Sequence, residues 1–250
     1  MTASLRERLD TRIVALGLAE SRERAKGVIL AGLVSVDGER ITQAGFRVRE
    51  EQSIVVAGPE HPFVSRGGVK LDGALRAFDF SVRERVCFDV GASTGGFTDC
   101  LLQRGASIVH AVDVGYGQLA WKLREDSRVL VRERTNVRTL PASSLDPVPS
   151  LAVIDASFIS LRLLLAPTLA QLGGSREIIA LVKPQFEVGR EKVGKGGLVS
   201  DPEVRREAVE TVSEAAGQLG LRVAGISDST LPGAKKGNVE IFLYLQASAS

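Results

Sequence analysis

The stretch that most constrains the fold is VCFDVGASTGGFTD, at residues 86–99. An apolar run reaches a glycine-rich turn and an amphipathic segment follows, which predicts a strand, a tight loop and the start of a helix. Gly91, Gly95 and Gly96 let the backbone approach a ligand closely, and a helix start offers unpaired N–H groups. A glycine-rich turn alone is often an ordinary strand–helix connection, so its meaning depends on the rest of the chain.

An acidic residue follows at the place where a nucleotide-binding fold needs one. Asp113 lies 24 residues after Asp89, at the end of the next apolar run, IVHAVDV. A carboxylate there accepts hydrogen bonds from ribose hydroxyls in nucleotide-binding folds. The glycine spacing is GxxxGG, which differs from GxGxxG and weakens a dinucleotide interpretation.

Composition indicates a globular chain without a strong charge bias. The 250 residues are 44% apolar and 25% charged, enough for one large domain or for a typical domain plus a small module. The net charge is only +2, so a nucleic-acid surface must come from local clusters of basic residues. Cys87 and Cys100 fall in a predicted strand and helix, their spacing predicts no metal site, and their low number suits a reducing cytoplasm.

No segment of the sequence has the pattern of a signal peptide or a membrane span. The first dozen residues are charged and lack an apolar core. The most apolar long segment, 159–172, is too short to cross a bilayer and carries Arg162. We therefore expect a cytoplasmic protein.

Residues 1–58 have the pattern of a small α+β module. LRERLDTRIVALGL has apolar residues at helical spacing and a stop at Gly17, and Ser21 is a good N-cap for a second helix. Two alternating runs, VSVDGERI and FRVREEQSIVVA, follow, and Asp37-Gly38 predicts a hairpin. Residues 59–68, with two prolines, predict a linker.

Residues 69–246 alternate between strand and helix patterns, which predicts a doubly wound α/β domain. A first helix is expected at 69–78. Strands are expected at 86–90, 108–113, 129–132, 151–155 and 177–183, and further helices at 96–104, 117–126, 161–172 and 202–219. The chain closes with two β-rich runs joined without a crossover helix, so the last strand should be antiparallel in a mostly parallel sheet. This layout is typical of class I S-adenosylmethionine-dependent methyltransferases.

The N-terminal module resembles the S4 RNA-binding domain. The resemblance rests on R-L-D at 8–10, G-L at 17–18, S-R at 21–22, Ala25, Ile29, Gly32 and V-x-V-D-G at 34–38. In that family the second helix and the hairpin contact structured RNA, which implies RNA-binding roles for Arg8, Arg22 and Lys26. Basic side chains on one face bind phosphates without reading sequence.

The second part resembles the FtsJ-type ribose 2′-O-methyltransferases. DVGASTGGFTD is similar to their cofactor loop, D-x-G-x-x-P-G-G, with Thr94 in place of the proline. Together with the S4-like module, the chain is identified as a member of the TlyA family, ribosomal RNA methyltransferases also labelled haemolysins. The blocks that carry this resemblance are SRGGVKL (65–71), VIDASFISL (153–161), ALVKPQFEVGR (180–190) and KKGNVEIFL (235–243).

The family resemblance implies S-adenosylmethionine as the cofactor and a ribose 2′-hydroxyl in rRNA as the methyl acceptor, with cytidine as the expected nucleoside. The implied cofactor-binding residues are Asp89, Gly91, Ala92, Ser93, Thr94, Gly95, Gly96, Phe97, Asp113 and Asn136. The expected partner is ribosomal RNA or a ribosomal subunit, with neither DNA nor a membrane, and a monomer is compatible with these patterns.

A Lys-Asp-Lys-Glu tetrad carries over from FtsJ-type enzymes to Lys70, Asp155, Lys183 and Glu240. Asp155 and Lys183 end apolar strands at the edge where open α/β sheets bind ligands. Charges at such positions are costly to bury unless they are paired, so the four groups are expected to pair. Lys183 is expected to act as the base or to stabilise the alkoxide, while Lys70 and Glu240 orient and tune it.

Two basic, glycine-rich loops flank the expected site, at 189–197 and 232–238. Their position favours contact with the RNA backbone, although such loops are often only flexible surface. The RNA-contact candidates outside the S4-like module are Arg66, Arg190, Lys192, Lys195, Lys235 and Lys236.

Two other functions remain as alternatives. A membrane-active haemolysin should carry a membrane-spanning stretch, a basic amphipathic helix or a secretion signal, and the sequence has none of these patterns. A non-catalytic RNA-binding protein should have lost the tetrad or the glycine loop, and both are intact. Calorimetry with S-adenosylmethionine separates a working enzyme from the latter.

Overall fold

The computed structural model describes residues 6–30, 32–57, 61–233 and 237–248. The chain divides into two compact units, Met1–Pro62 and Phe63–Ser250. Two predicted RNA contacts, Lys235 and Lys236, lie outside the described residues. Within the described residues, no helix has both the length and the apolar character needed to cross a membrane.

The first unit packs two short helices against small antiparallel sheets. Its elements are β1 (Glu7–Arg8), α1 (Leu9–Ala15), α2 (Arg22–Leu30), β2 (Val34–Val36), β3 (Glu39–Ile41), β4 (Arg47–Val48) and β5 (Ile54–Val56). The predicted cap is present, since Ser21 Oγ accepts a hydrogen bond from Arg24 N at 3.2 Å. Leu9, Ile13 and Ile29 are fully buried and form the centre of a separate apolar core.

The predicted hairpin is confirmed, but the run after it holds two strands instead of one. Asp37 and Gly38 have φ values of 50° and 87°, which turn β2 back onto β3 in antiparallel register. In FRVREEQSIVVA, a turn at Arg49–Gln52 interrupts the alternation, because Gln52 N donates to Arg49 O at 3.3 Å. As a result β4 pairs with β1, while β5 pairs with β2.

The second unit is a seven-stranded sheet with helices on both faces. Its strands are β6 (Val86–Val90), β7 (Ile108–Val112), β8 (Val129–Arg132), β9 (Leu151–Ile154), β10 (Glu177–Val182), β11 (Leu221–Asp228) and β12 (Ile241–Ala247). Its helices are α3 (Arg66–Ala77), α4 (Gly96–Gln103), α5 (Trp121–Arg124), α6 (Arg162–Leu169), α7 (Pro184–Glu187) and α8 (Pro202–Gln218). The strand order is β11-β12-β10-β9-β6-β7-β8, and β12 is antiparallel to both of its neighbours, which confirms the predicted fold class.

Three helices differ from their predicted extent, and one of them, α6, ends at Leu169, three residues before its predicted end. The helix expected at 117–126 is a single turn at Trp121–Arg124, because Gly117 has a φ of 71° and Ala120 N donates to Thr94 O at 3.1 Å. These features hold the preceding residues as a loop. Helix α3 begins at Arg66, three residues before its predicted start, after an extended Ser65.

The sheet has an apolar core on each face. Leu71, Leu101 and Phe242 belong to the core on one face. A separate set of buried apolar residues forms the core on the other face. Cys87 and Cys100 lie in the first core as free thiols. Desolvation by burial raises the pKa of both thiols to about 12.

Candidate active site

The carboxyl ends of the parallel strands meet at one edge of the sheet, and the glycine loop lies there, between β6 and α4. Gly91 and Gly95 have φ values of 85° and 93°, which favour glycine. A Cβ atom at Gly91 would lie only 2.9 Å from the carbonyl oxygen of Asp155. The loop can therefore pass this close to the end of β9 only with a glycine at that position.

Asp113 holds the glycine loop in place. Its Oδ2 accepts a hydrogen bond from Ser93 N at 2.8 Å, and its Oδ1 accepts one from Gly115 N at 2.6 Å. Each carboxylate oxygen has a further lone pair, so both could also accept from ribose hydroxyls. Asn136, the other predicted cofactor residue beyond the loop, caps the turn that follows it by accepting from Arg138 N at 3.1 Å.

Asp89 carries a buried oxygen without a hydrogen-bond partner. Its Oδ2 accepts from Thr98 Oγ1 at 2.6 Å, whereas its Oδ1 accepts from no described residue. Desolvation, with a smaller contribution from the charges of Asp155 and Asp113, raises the pKa of Asp89 to about 7. Because buried acceptors are normally satisfied, an open oxygen beside the glycine loop fits a ligand that brings a donor or a positive charge. The ammonium group of S-adenosylmethionine has that character.

Lys70 and Glu240 form a buried ion pair. Lys70 lies in the second turn of α3, and Glu240 directly precedes β12. Lys70 Nζ donates to Glu240 Oε2 at 2.5 Å, and the two side chains are 9% and 4% exposed. The charge of Lys70 is thus paired inside the protein and does not face solvent.

Lys183 and Asp155 form a second ion pair at the same edge. Lys183 Nζ lies 2.5 Å from Asp155 Oδ1 and donates a hydrogen bond to Ser157 Oγ at 2.9 Å. The Lys183 residue is 9% exposed, and it follows β10 directly. The pair joins the ends of two adjacent parallel strands, as the sequence pattern predicted.

Glycines bring α3, and with it Lys70, to this edge. A Cβ atom at Gly96 would lie 2.9 Å from Gly68 N, so the first turns of α3 and α4 are in close contact. A Cβ atom at Gly67, one turn before Lys70, would lie 3.7 Å from Asp155 Oδ2. The first turn of α3 therefore lies beside the second ion pair.

Three residues of this edge were not predicted as functional. Ser157 contacts the Lys183 ammonium, and Phe158 is 84% exposed with a φ of 66°, its ring centroid 5.3 Å from that of Phe186. Glu187 is buried and accepts hydrogen bonds from Leu161 N at 2.8 Å and from Ser160 Oγ at 2.5 Å. The SFIS segment at 157–160, close to Asp155, was a signal for the first two, whereas nothing near Glu187 in the sequence indicates its contacts.

The predicted RNA contacts in the second unit have different surroundings. Lys192 forms an ion pair with Glu207 at 2.6 Å, and Arg66 donates to Pro232 O at 3.0 Å. Arg190 is exposed, and Lys195 is exposed with interactions of its own.

One buried amide connects the two basic loops. Asn238 Oδ1 accepts from Val199 N at 2.8 Å, and Asn238 Nδ2 donates to Gly197 O at 2.7 Å. The side chain is 3% exposed, and Asn238 lies two residues before Glu240. The described parts of the loops are therefore held against each other.

In the first unit, two of the three predicted RNA contacts share one carboxylate. Arg8 donates to both oxygens of buried Asp10, at 3.0 and 2.9 Å, and Arg22 donates to it at 3.2 Å. The hydrogen bond from Arg8 contributes most to holding the pKa of Asp10 well below its usual range, against the effect of burial. Lys26 is exposed on α2. Across the described residues, no group of three His, Cys, Asp or Glu side chains could hold a metal ion.

Comparison with known proteins gives matches over both units. The FtsJ-like methyltransferase family matches residues 63–247, and the S4 domain matches residues 7–54. The 16S/23S rRNA (cytidine-2'-O)-methyltransferase TlyA of Mycobacterium tuberculosis is 48% identical over 96% of this chain and 90% of its own. Hemolysin A of Brachyspira hyodysenteriae is 38% identical over 95% of this chain and 98% of its own. A solved structure from Streptococcus thermophilus, named as a hemolysin, is 42% identical with a TM-score of 0.75, over 99% of this chain and 90% of that chain.

Proposed function

Because this chain belongs to the FtsJ-like methyltransferase family, and to its TlyA branch with an S4 domain, we propose that it methylates a ribose 2′-hydroxyl in ribosomal RNA. The observation that carries the proposal is the pair of lysine–carboxylate contacts at the carboxyl edge of the sheet, beside a glycine loop. The name of the tuberculosis relative points to cytidine as the methylated nucleotide. A ribosomal substrate implies that the protein works in the cytoplasm.

The cofactor we propose is S-adenosylmethionine, which when bound supplies an electrophilic methyl group. The residues that would hold it are the glycine loop at 91–97, Asp113 and Asp89. Asp113 keeps a free lone pair on each oxygen for ribose hydroxyls, and the unpartnered Oδ1 of Asp89 suits a cation. Their position at the carboxyl edge is the usual ligand position in such sheets.

Lys183 is the group we propose to meet the acceptor hydroxyl. A ribose 2′-hydroxyl is a weak nucleophile and a very weak acid, so it must be oriented and its developing negative charge must be stabilised or its proton removed. The side chain of Lys183 is 11% exposed, and the exposed Ser157 lies next to its Nζ. A hydroxyl placed there would contact a fixed positive charge with little water around it.

Lys70 and Glu240 support this group from the other side. Both are nearly inaccessible to solvent, and their ion pair joins α3 to the strand beside β10. Loss of either partner would leave an unpaired buried charge. Their proposed role is to fix α3 against the edge and to set the local electrostatic field.

RNA binding is proposed for the S4 unit and for the exposed face around the site. Lys26 is exposed on α2, and Arg190 is exposed in the first basic loop. Phe158, with its exposed ring held beside Phe186, suits stacking on an unpaired base. Phosphate contacts would position the RNA, and the stacked base would present its ribose to the site.

The test is methyl transfer to ribosomal subunits purified from cells that lack this protein. Wild-type protein and labelled S-adenosylmethionine should introduce a methyl group that makes one ribose resistant to alkaline cleavage. Lys183→Ala should introduce it about 10²–10⁴-fold more slowly, while Arg222→Ala, which removes an exposed side chain hydrogen-bonded to Gln246 far from the site, should act like the wild type. A wild-type protein that labels no rRNA, or that labels a base, would contradict the proposal.

A further inference from the structure

Lys183 has one aligned hydrogen bond among the described residues, and Ser157 accepts it. The Nζ–Oγ distance is 2.9 Å. Asp155 Oδ1 is closer to Nζ, at 2.5 Å, but that oxygen takes part in no hydrogen bond of acceptable geometry. A misaligned contact contributes charge and little direction. The direction of the ammonium group is therefore set by Ser157 and its charge is balanced by Asp155.

Resting on the proposed function, we propose that Ser157 is the positioning residue of Lys183. Its hydroxyl would fix the rotation of Nζ, so that a remaining N–H, or the lone pair of the amine, faces the incoming 2′-hydroxyl. A serine hydroxyl can accept a hydrogen bond from an ammonium and donate one to an amine, whereas the Asp155 carboxylate can only accept. Ser157 thus holds Nζ in the same place before and after any proton is moved.

Both partners of this contact are held by rigid supports. Lys183 directly follows a fully buried strand and precedes Pro184 at the start of α7. Ser157 belongs to the segment whose far end is fixed by Glu187, through Leu161 N and Ser160 Oγ. The contact therefore joins the residue directly after β10 to the loop that follows β9, and the backbone of each partner is held by neighbouring structure.

The exposure of Ser157 separates positioning from folding. The residue is exposed, so loss of its hydroxyl opens no cavity and leaves no buried donor unsatisfied. Ser157→Ala should keep the wild-type thermal midpoint and cofactor affinity. Turnover should fall by roughly 10- to 100-fold, because a small misplacement of a reacting group has an effect of that size. Ser157→Thr keeps the hydroxyl and should recover most of the turnover.

The matched control is Ser175→Ala at the opposite edge of the sheet. Ser175 also pairs with charged groups, donating to Glu177 at 2.9 Å and accepting from Arg85 at 3.0 Å. It should leave turnover unchanged in the folded protein. If Ser157 had only a structural role, the folded Ser157→Ala variant would also keep the wild-type turnover.

A double-mutant cycle tests whether Ser157 acts through Lys183. In a Lys183→Ala background, adding Ser157→Ala should cause no further loss of methyl transfer, because the group it positions is absent. Full turnover in the single Ser157→Ala variant overturns the proposal. Losses that add in the cycle, or a raised KM for RNA with unchanged kcat, overturn it too and make Ser157 an RNA contact.

A spectroscopic measurement keeps this proposal separate from the proposed function. In nitrogen-15 spectra of the full-length protein at low temperature, the Lys183 ammonium protons should exchange slowly, because they are hydrogen-bonded and mostly buried. The signal should be lost in Ser157→Ala and kept in Ser157→Thr. If the wild type transfers no methyl to rRNA, the proposed function fails, while this signal still decides whether Ser157 holds Lys183; its persistence in Ser157→Ala overturns the positioning role.

Discussion

The amino edge of the central sheet and its carboxyl edge both carry ion pairs, and they differ in how fully each carboxylate is hydrogen-bonded. At the amino edge, Glu177 accepts from Arg85 at 2.6 Å, Ser175 at 2.9 Å and Gln246 at 3.2 Å, and also from the Tyr244 hydroxyl. Burial alone would raise the pKa of Glu177, but these hydrogen bonds outweigh it and lower the pKa. Every oxygen of this carboxylate is satisfied within the chain.

At the carboxyl edge the carboxylates have fewer hydrogen bonds. Asp89 Oδ1 is buried without a hydrogen-bond partner among the described residues, and Asp155 Oδ1 has the 2.5 Å ion-pair contact with Lys183 Nζ but no aligned hydrogen bond. Both edges belong to the same sheet and both have apolar strands leading to them, so the general need to pair buried charge does not explain the contrast. A carboxylate whose hydrogen bonds are all made within the chain stabilises the fold, whereas a buried acceptor without a partner suits a ligand that brings a donor.

Lys183→Ala tests the role of the carboxyl edge most directly. If the carboxyl edge carries the catalytic groups, turnover of the Lys183→Ala variant should fall by about 10²–10⁴-fold. The thermal midpoint should move little, because Asp155 is partly exposed and can be solvated. The measurement is methyl transfer together with thermal unfolding. Lys183→Arg sharpens it, since Arg keeps the charge but cannot lose its proton; near-native turnover in that variant rules out the base role.

The converse change at the amino edge is Glu177→Ala. Four donors lose their acceptor, so unfolding free energy should fall by about 3 kcal/mol. Glu203→Ala, which removes one partner of an exposed pair with Arg206, is the control and should cost close to nothing. Turnover of the folded variant should equal that of the wild type. A loss of kcat at a temperature where the Glu177→Ala protein is folded would remove the distinction between the edges.

The effect of Glu177 should also depend on pH in one direction. Its folded-state pKa is lowered, so its contribution to stability is present above the unfolded value, about 4.5. That contribution is lost as the pH falls through the folded value. Urea unfolding at a series of pH values should show the unfolding free energies of the wild type and of Glu177→Ala approaching each other in acid. A difference that does not change with pH would contradict the assignment.

A smaller effect is expected from Asp89→Asn. In the free protein burial raises the pKa of Asp89 to about 7, and a cofactor cation beside it would favour the ionised form. Affinity for S-adenosylmethionine should therefore rise about tenfold as the pH goes from about 6 to 8, and calorimetry should show a flat profile for Asp89→Asn. Asp126→Asn, which changes a partly exposed carboxylate paired with Arg128, is the control that should keep the slope.

The same residue makes an independent prediction for stability without cofactor. Since the folded-state pKa of Asp89 lies above the unfolded value of about 3.9, the folded protein binds this proton more tightly. Stability should fall as the pH rises from about 4 to 7 and level off above that range. Asp89→Asn should lack this decline, and an equal decline in both proteins would mean that another group causes it.

The smallest expected effect is that of Tyr244→Phe. The substitution removes one donor to Glu177 and keeps the ring contacts to Phe78 and Phe80, whose centroids lie 5.7 and 5.1 Å away. The loss should be about 1 kcal/mol, measured by urea unfolding. A loss as large as that of Glu177→Ala would mean that the amino edge depends on one hydrogen bond instead of a network.

The sequence was sufficient for features set by neighbouring residues. The run that becomes β6, the glycine turn and the positions of Asp155 and Lys183 after their strands all follow from local patterns, and the structure has those strands within a residue of the expected bounds. Pairing across the chain is different. Lys70 meets Glu240 from 170 residues away, and that residue pair came from family resemblance and not from periodicity.

Features that depend on tertiary contacts were missed. Glu187 fixes the segment after β9 through Ser160 and Leu161, and no local pattern at Glu187 indicates this. The turn at Arg49–Gln52 was missed although polar residues interrupt the alternation there, because the pattern does not show that β4 and β5 pair with different strands. Whether Arg8 faces solvent or Asp10 was likewise decided by packing.

The reactivity of the two buried thiols can be used to measure local opening of the core. Cys87 and Cys100 are fully inaccessible, and with a pKa of about 12 they are almost wholly protonated at neutral pH. Alkylating reagents react with exposed thiolates, so modification requires the sheet to separate from α4. The labelling rate of either cysteine thus measures how often this half of the core opens, and it can rank destabilised variants without heat or denaturant.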